Sequence, residues 1–466
     1  MDLTELMLAC GKAFIVSFVL APVVRDVFRS YNVVDRPGRR KVHAYPIPRV
    51  GGVPIAIAYV LSLVSLRGPG SVFPAHWLPT ILSGALIIFL TGLIDDFLNL
   101  KPVVKLIGQI AAAVVAYASG LRIDYLGSIP LPVWLSLPIT VFWLLLTTNA
   151  LNLIDGLDGL CAGIGFWATI SFFAVAWINN ATVLAFTALP LAGALLGFLF
   201  FNFNPATVFL GDSGALLIGF LLGCFGIIWT GHGVTATGIA VPLLALGVPM
   251  LDLGLSIIRR SLKGQRIFSA DRGHIHHRLL DRGLSVRRAA MLLYAVGIVG
   301  GIAGLLLTWS GGSAALRWMI IAAVALAILA GIRNLRYAEF ETAVSLLFRG
   351  DFQRVLADKA RVQQLAQALE RTRTRDEWWQ LLVAAAGEWN WIRLSSHGPN
   401  GMRDEVLAAA RKPSWSFTIE LNDAESVAVE GDNQTAGRAP DLPGLAAILS
   451  QTFQRGCRDW KQPAIS

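Results

Sequence analysis

Four clusters of polar residues interrupt an otherwise apolar chain, and each lies at the end of an apolar run. They are segments 95–99 (DDFLN), 149–158 (NALNLIDGLD), 202–214 (NFNPATVFLGDSG) and 274–277 (HIHH). Ionisable groups beside hydrocarbon are costly and rare, so several such clusters indicate one shared polar site. The carboxylates and histidines of these clusters are therefore the first candidates for function.

The adjacent carboxylates Asp95 and Asp96 indicate a divalent cation. Two neighbouring carboxylates repel each other, and one tends to keep its proton unless a cation lies nearby. Magnesium is typically held by one or two carboxylates together with substrate phosphates, so Mg²⁺ is the expected cofactor, with Mn²⁺ as an alternative. Asp212, at the start of a later apolar run, is the third predicted ligand. The competing interpretation is that these carboxylates only cap helices.

The second cluster carries amides and carboxylates at three-residue steps. They are Asn149, Asn152, Asp155 and Asp158. In a helix this spacing forms a slowly rotating polar stripe, here at the edge of an apolar run. Gly156 and Gly159 interrupt it and would let backbone amides approach a phosphate or a sugar. A plain turn is the alternative for this segment.

Two basic segments are candidates for binding anionic substrate groups. His274, His276 and His277 precede Arg278 and supply donors for a pyrophosphate or a sugar. A zinc site is disfavoured because no cysteine is near and three ligands within four residues cannot all face one ion from a regular helix. A solvated surface turn is the other alternative. The loop 35–52, with His43 and Arg49, is predicted to hold a lipid headgroup phosphate or to serve topology alone.

The elements that must position these residues are apolar helices. Of the 466 residues, 55% are hydrophobic and 15% are charged, and the mean hydropathy is +0.60, which is typical of membrane proteins. We expect an all-α polytopic membrane protein of about eleven transmembrane helices. The predicted spans are 7–24, 52–67, 78–94, 104–121, 131–148, 160–178, 181–201, 213–230, 237–258, 288–308 and 314–333.

The distribution of basic residues predicts an orientation. Seven Lys and Arg residues lie between positions 25 and 49, after the first run, and nine between 259 and 288, after the ninth. The positive-inside tendency therefore predicts that both loops are cytoplasmic and that the N-terminus is outside. In that register all four polar clusters lie on the cytoplasmic side, which favours an anionic substrate reached from the cytoplasm.

The composition changes after the last apolar run. Residues 340–390 are charged with helical patterning, short strands are predicted near 389–395, 414–421 and 426–430, and a closing helix is predicted over 442–455. We therefore expect a transmembrane domain at 1–335 and a small cytosolic α+β domain at 336–466. The second domain carries no catalytic constellation, and both a stabilising role and a partner-binding role remain open for it.

The clusters, taken together and in order, resemble the polyprenyl-phosphate N-acetylhexosamine-1-phosphate transferases of glycosyltransferase family 4. The resemblance covers about residues 1–335 and is closest to the branch that starts O-antigen, enterobacterial common antigen or teichoic acid linkage synthesis. Its motifs are RPGRRKVHAYPIPRVGG, DDFLN, NALNLIDGLDGL, FNFNPATVFLGDSG and HIHHRL. Five ordered motifs are specific, whereas any one of them alone is weak.

The resemblance implies that undecaprenyl phosphate attacks a UDP-activated N-acetylhexosamine, most commonly UDP-GlcNAc, and that UMP leaves. It implies catalytic roles for Asp95, Asp96, Lys105, Asp155, Asp158, His274, His276 and His277. It implies metal binding by Asp95, Asp96 and Asp212 and a site role for Asn202, which we predict to bind substrate. Substrate binding is also predicted, from residue type and position, for Asn149, Asn152, Arg278, Arg49 and His43. The expected setting is the bacterial cytoplasmic membrane, with no nucleic-acid partner and with a homodimer as an open alternative.

Two departures from the family pattern narrow this expectation. Asn99 occupies the third acidic position of the aspartate motif, which disfavours a metal held by three carboxylates of that motif. HIHH differs from the histidine run of the branch that transfers the muramoyl-pentapeptide unit, which disfavours transfer of that unit. The lipid phosphate is largely dianionic at neutral pH and hardly needs a general base, although a base role for an aspartate and a covalent step stay open. FucNAc, QuiNAc and GalNAc donors are alternatives, and a polytopic transporter is the remote one.

Overall fold

The structure is a computed structural model that describes residues 3–31, 34–35, 46–66, 73–126, 129–231, 240–262, 273–309, 313–334, 351–389, 391–398, 401–407, 415–422, 425–431 and 442–459. The chain divides into two compact units, residues 1–340 and 341–466. Each unit has a hydrophobic core of its own. His43, which we predict to bind substrate, lies outside the described residues.

The described part of the first unit is almost entirely helical. Its helices are α1 (Leu3–Ser30), α2 (Gly52–Ser65), α3 (Trp77–Leu98), α4 (Pro102–Ala118), α5 (Val133–Ile154), α6 (Leu160–Ile178), α7 (Thr182–Asn202), α8 (Gly211–Thr230), α9 (Ala240–Ala245), α10 (Gly247–Leu262), α11 (Ile275–Asp281), α12 (Val286–Trp309) and α13 (Ala314–Asn334). A two-stranded hairpin, β1 (Tyr125–Leu126) and β2 (Ile129–Pro130), connects α4 to α5.

Eight helices in the described ranges are long and apolar enough to cross a membrane, namely α1, α3, α5, α6, α7, α8, α12 and α13. Helices α2 and α4 are apolar but shorter. The predicted count of eleven spans is not confirmed, because the second and fourth predicted runs form these shorter helices and the ninth run forms two helices, α9 and α10. Pro249 explains the break, since it has no N–H to donate to the carbonyl of Ala245.

Helix α8 lies at the centre of the first unit. Within its apolar stretch 94% of the residues are buried inside the protein, against 22% for α1, so α8 packs on protein where α1 presents apolar surface outward. It packs against α2, α3, α5 and α6. Close approach depends on glycine: a Cβ on Gly52 of α2 would lie 2.4 Å from the backbone N of Gly214. The beginning of α8, which carries the GDSG motif, is therefore held tightly.

The described part of the second unit combines three helices with a four-stranded antiparallel sheet. Its elements are α14 (Asp351–Glu370), α15 (Arg375–Glu388), β3 (Arg393–His397), β4 (Arg403–Val406), β5 (Trp415–Asn422), β6 (Glu425–Gly431) and α16 (Leu442–Asp459), with sheet order β4-β3-β6-β5. Trp378, Trp391 and Phe453 are among its largest buried side chains. The predicted small α+β fold is confirmed, but β4 was not predicted because all four of its residues are exposed and show no alternation.

Candidate active site

Lys105 of α4 joins three other helices. Its Nζ lies 2.6 Å from Asp212 Oδ2 of α8, 3.0 Å from Asp95 Oδ2 of α3 and 3.2 Å from Asn152 Oδ1 of α5. Asn152 Nδ2 donates to the other Asp212 oxygen at 2.7 Å. We call these four side chains the lysine cluster. Asp212 is the most exposed of its charged members, with 29% of the side chain exposed against 9% for Asp95, so a ligand can reach the cluster from the Asp212 side.

Asp96, the neighbour of Asp95, has different partners. Its Oδ1 accepts from the backbone N of Asp212 at 2.7 Å, and its Oδ2 accepts from the backbone N and Oγ of Ser213 at 2.9 and 2.6 Å. These amides belong to the first turn of α8, where backbone donors have no partner within the helix. Asp96 therefore binds the beginning of α8 as a capping side chain does, and its predicted catalytic and metal roles stay predictions.

The segment that ends the basic loop lies beside this site. Phe209 donates its backbone N–H to Pro48, and Gly51 donates to Phe209, each at 2.9 Å. A Cβ on Gly211, which has a φ of +74°, would lie 2.8 Å from the carbonyl oxygen of Arg49. These contacts bring the exposed Arg49 to the site, where its charge acts on Asp155.

Asp155 follows the last residue of α5 and is half-buried. Burial raises the pKa of its carboxyl to about 7, and the negative charge of Asp212 acts in the same direction. The positive charges of Arg49 and Lys105 oppose this shift. A carboxyl whose pKa lies near neutrality suits proton transfer at physiological pH, so the geometry is compatible with the predicted catalytic role.

Three other predicted residues hold the surrounding backbone or helices together. Asp158 Oδ2 accepts from Asn204 Nδ2 at 2.9 Å and from the backbone N of Ala206 at 3.0 Å. Asn149 and Gln109 exchange amide hydrogen bonds of 2.7 and 3.2 Å between α5 and α4. Asn202 donates to the carbonyl of Val208 at 2.9 Å and closes the loop before α8. Their predicted catalytic and binding roles stay predictions.

The histidines lie at the beginning of α11 and reach the central acidic motif. His274 precedes the helix, and its ring is parallel to that of His276, with 5.6 Å between the centroids. His276 also contacts His277, at 4.4 Å between centroids. A Cβ on Gly156 would lie 2.4 Å from His276 Nε2, so the histidine is packed on the turn next to Asp155.

Burial lowers the pKa of the His276 imidazole to about 4, with neighbouring His277 and His274 acting in the same direction and Asp252 opposing them. His276 is therefore neutral at physiological pH and presents one N–H donor and one nitrogen lone pair. Arg278, the predicted binding residue after the histidines, donates from Nε to the carbonyl of Gly273 at 3.3 Å.

Two residues that sequence reasoning missed contact this site. Asp252 of α10 accepts from the backbone N of Ile275 at 2.9 Å and lies 3.3 Å from His274 Nδ1. Its signal was a carboxylate inside an otherwise apolar run. Tyr294 of α12 donates its hydroxyl to the carbonyl of Gly159, and nothing in its local sequence distinguishes it from a membrane-facing tyrosine.

The predicted magnesium ion would need oxygen donors that converge on one point. Among the described residues no group of three or more His, Cys, Asp or Glu side chains is arranged around a common point. Two carboxylate oxygens, from Asp95 and Asp212, nevertheless converge on the ammonium of Lys105. Two carboxylates with the remaining positions filled by water and phosphate are what Mg²⁺ commonly uses, so these two residues fit the ion.

Comparison with known proteins adds independent information. The family model for glycosyl transferase family 4 matches residues 78–230, which contain the first three polar clusters. A probable undecaprenyl-phosphate N-acetylglucosaminyl 1-phosphate transferase of Bacillus subtilis is 33% identical over 66% of this chain and 87% of its own length.

Two further relatives have related names. A decaprenyl-phosphate N-acetylglucosaminephosphotransferase of Mycolicibacterium smegmatis is 34% identical over 64% of this chain and 81% of its own length. A phospho-N-acetylmuramoyl-pentapeptide-transferase of Desulforudis audaxviator is 32% identical over 64% of this chain and 97% of its own length. With the polar motifs joined in one site and near-complete coverage of these relatives, the chain belongs to glycosyl transferase family 4.

Proposed function

We propose that this protein transfers N-acetylglucosamine 1-phosphate from UDP-GlcNAc to undecaprenyl phosphate and releases UMP. Two of the relatives above are named for transfer of this sugar phosphate to a polyprenyl phosphate. The observation that carries the proposal is the lysine cluster, in which side chains of α3, α4, α5 and α8 place one ammonium between two carboxylates at the ends of apolar helices.

In the proposed reaction a phosphate oxygen of the lipid forms a bond to the β-phosphorus of UDP-GlcNAc. The bond from that phosphorus to the bridging oxygen breaks, and UMP leaves with this oxygen. Phosphoryl transfer depends mainly on alignment and on neutralisation of the phosphate oxygens. Lys105 and Arg49 supply positive charge for these oxygens, and the neutral His276 can donate or accept one hydrogen bond. Mg²⁺, when held by Asp95 and Asp212, would supply further neutralisation of the pyrophosphate.

The structure also supports placing the reaction at one face of the membrane. The DDFLN motif ends α3, Asp155 follows α5, and Asp212 begins α8, and these three helix termini meet in one region. The basic residues of the loops after α1 and α10 favour the cytoplasmic side for that region. We therefore propose a protein of the bacterial cytoplasmic membrane whose N-terminus is outside and whose product starts a cell-envelope polysaccharide.

The test is UMP release by purified protein in detergent, with undecaprenyl phosphate, with and without Mg²⁺. The donors are UDP-GlcNAc, UDP-GalNAc, UDP-FucNAc, UDP-QuiNAc and UDP-MurNAc-pentapeptide. We expect lipid-dependent UMP release with UDP-GlcNAc, lost in Asp212→Asn and kept in Asp281→Asn, which alters an exposed carboxylate at the end of α11. UMP release with one of the other donors, but not with UDP-GlcNAc, would show that the proposed sugar is wrong and that the proposed reaction class is right. Silence with every donor would overturn the transferase proposal.

A further inference from the structure

Helix α10 holds the histidine segment with two side chains on one of its faces. Asp252 and Arg259 are seven residues apart, which is about two helical turns, so both face the same direction. Asp252 Oδ1 accepts from the backbone N of Ile275 at 2.9 Å, and Arg259 donates to the carbonyl of Gly273 at 2.8 Å. Both side chains are buried, at 1% and 3% exposure of the residue. The backbone on both sides of His274 is thus fixed from α10.

The second oxygen of Asp252 faces the imidazoles. His274 Nδ1 lies 3.3 Å from Asp252 Oδ2, and His276 Nδ1 lies 4.0 Å from the same oxygen. Neither contact has the geometry of a hydrogen bond, so the carboxylate acts on the two rings through its negative charge. A carboxylate beside one ring nitrogen favours the tautomer that carries its proton on that nitrogen. The parallel packing of the two rings then aligns His276 with His274.

The opposite nitrogen of His276 faces the site. Its Nε2 is packed against Gly156, in the turn that carries Asp155. The Asp155 carboxyl in turn interacts electrostatically with Asp212 and Lys105 of the lysine cluster. With Nδ1 protonated toward Asp252, this Nε2 carries the lone pair and can accept a hydrogen bond at the site. The negative charge of the buried Asp252 on the far side of the ring thus favours the tautomer of His276 whose lone pair faces the site.

We propose that Asp252 is a positioning residue for the transfer reaction: its negative charge favours the tautomers of His274 and His276 that carry the proton on Nδ1, so that Nε2 of His276 faces the Asp155 turn as an acceptor. The role in catalysis rests on the proposed function, whereas the tautomer does not. Asp252 acts through the imidazoles and not on the substrate. Removal of its charge therefore acts on the reaction through the histidines.

The kinetic test is a double-mutant cycle between Asp252→Asn and His276→Gln, with Asp252→Glu as the conservative variant. We expect kcat of Asp252→Asn to fall about 10- to 100-fold, as for other residues that orient a functional histidine, with KM for UDP-GlcNAc changed less than threefold and partial recovery in Asp252→Glu. The double variant should be no slower than His276→Gln alone. Losses that multiply across the cycle would overturn the proposal, because they indicate independent, structural effects.

A direct readout uses ¹⁵N-histidine-labelled protein in lipid. The chemical shifts of the ring nitrogens distinguish protonated from unprotonated Nδ1, and His276→Gln assigns the signal of His276. We expect protonated Nδ1 in the wild type and in Asp281→Asn, and a shift toward protonated Nε2 in Asp252→Asn. Protonated Nε2 in the wild type would overturn the proposal, whether or not Asp252→Asn folds. If the wild type released no UMP with any UDP-sugar but showed protonated Nδ1, the proposed function would be wrong and the tautomer assignment would still hold.

Discussion

At the scale of single residues, Asp95 and Asp96 are neighbours in the chain but have separate partners. Successive residues of a helix point about 100° apart, so adjacent carboxylates face different elements. Asp95 faces Lys105, and Asp96 faces the amides that begin α8. The pair in the DDFLN motif thus combines one buried carboxylate that pairs with Lys105 and one that fixes the position of Asp212. Substitution of Asp95 therefore removes a partner of Lys105, whereas substitution of Asp96 frees the beginning of α8.

Lys105→Met should abolish most transfer activity. The methionine keeps the apolar length of the side chain but removes the charge between Asp95 and Asp212, so two carboxylates then repel each other and the phosphates. We expect a loss in kcat of about 10²- to 10³-fold, the range seen when one preorganised donor to a developing charge is removed.

Lys105→Arg is the matched control for charge, and steady-state UMP release is the measurement. Arginine keeps the charge in a larger, planar group, so the loss of kcat in Lys105→Arg should be smaller than in Lys105→Met. Activity of Lys105→Met within threefold of wild type would show that the ammonium does not take part.

His276 gives a prediction for the pH dependence of stability. Its folded pKa of about 4 lies below the free value of 6.5, so between these values the unfolded chain binds a proton that the folded protein does not. The stability contributed by the neutral imidazole is complete above pH 6.5 and is lost as the pH falls toward 4, by about 2 kcal/mol at pH 5. His276→Gln removes this term.

Thermal unfolding in detergent at pH 7 and pH 5 measures the effect. We expect the Tm of the wild type to fall more between these pH values than the Tm of His276→Gln. His397→Gln alters an exposed histidine of the second unit. Its Tm should fall between pH 7 and pH 5 by as much as that of the wild type. Equal decreases in the wild type and His276→Gln would contradict a lowered pKa at this residue.

At the scale of elements, the helices could be predicted because hydropathy is a local property. Ten of the eleven predicted runs coincide with a single helix, and the exception is broken at Pro249. The junctions between elements could not be predicted, because they depend on contacts between distant segments. Asp96 with the start of α8 and Asp252 with the histidines are such contacts. The sequence thus identified most of the polar site but not which side chains touch.

The contact of α3 with α8 predicts the effect of Gly92→Ala. An added Cβ at Gly92 would lie 2.6 Å from the carbonyl oxygen of Asp212 and 2.6 Å from Cα of Ser213, both backbone atoms that cannot rotate away. Overpacking of this kind typically costs about 1–3 kcal/mol. We expect a lower Tm and a reduced kcat, because α3 can accept the methyl group only by moving away from Asp212.

Gly297→Ala is the matched control, since a Cβ at this position of α12 meets no atom within 4 Å. It should leave UMP release unchanged. If Gly92→Ala and Gly297→Ala gave equal activity and equal Tm, the close approach of α3 to α8 would not be needed to position Asp212.

At the scale of the whole molecule, the predicted site residues and the second hydrophobic core lie in different units. All predicted site residues in the described ranges belong to the first unit, and the second has its own core around Trp378, Trp391 and Phe453. A unit with its own core can unfold as a separate cooperative element. The second unit should therefore tolerate destabilisation without loss of transfer.

Trp378→Ala tests this separation in the full chain. The side chain is 1% exposed, and truncation of a buried aromatic typically costs about 3–5 kcal/mol, a large share of the stability of a small domain. We expect the unfolding transition of the second unit to shift to lower temperature while kcat stays within twofold of wild type. Met402→Ala, which removes an exposed side chain of the same unit, should change neither. A parallel fall in kcat with Trp378→Ala alone would show that the folded second unit supports the reaction, and would make its surface the next place to look for control of the enzyme.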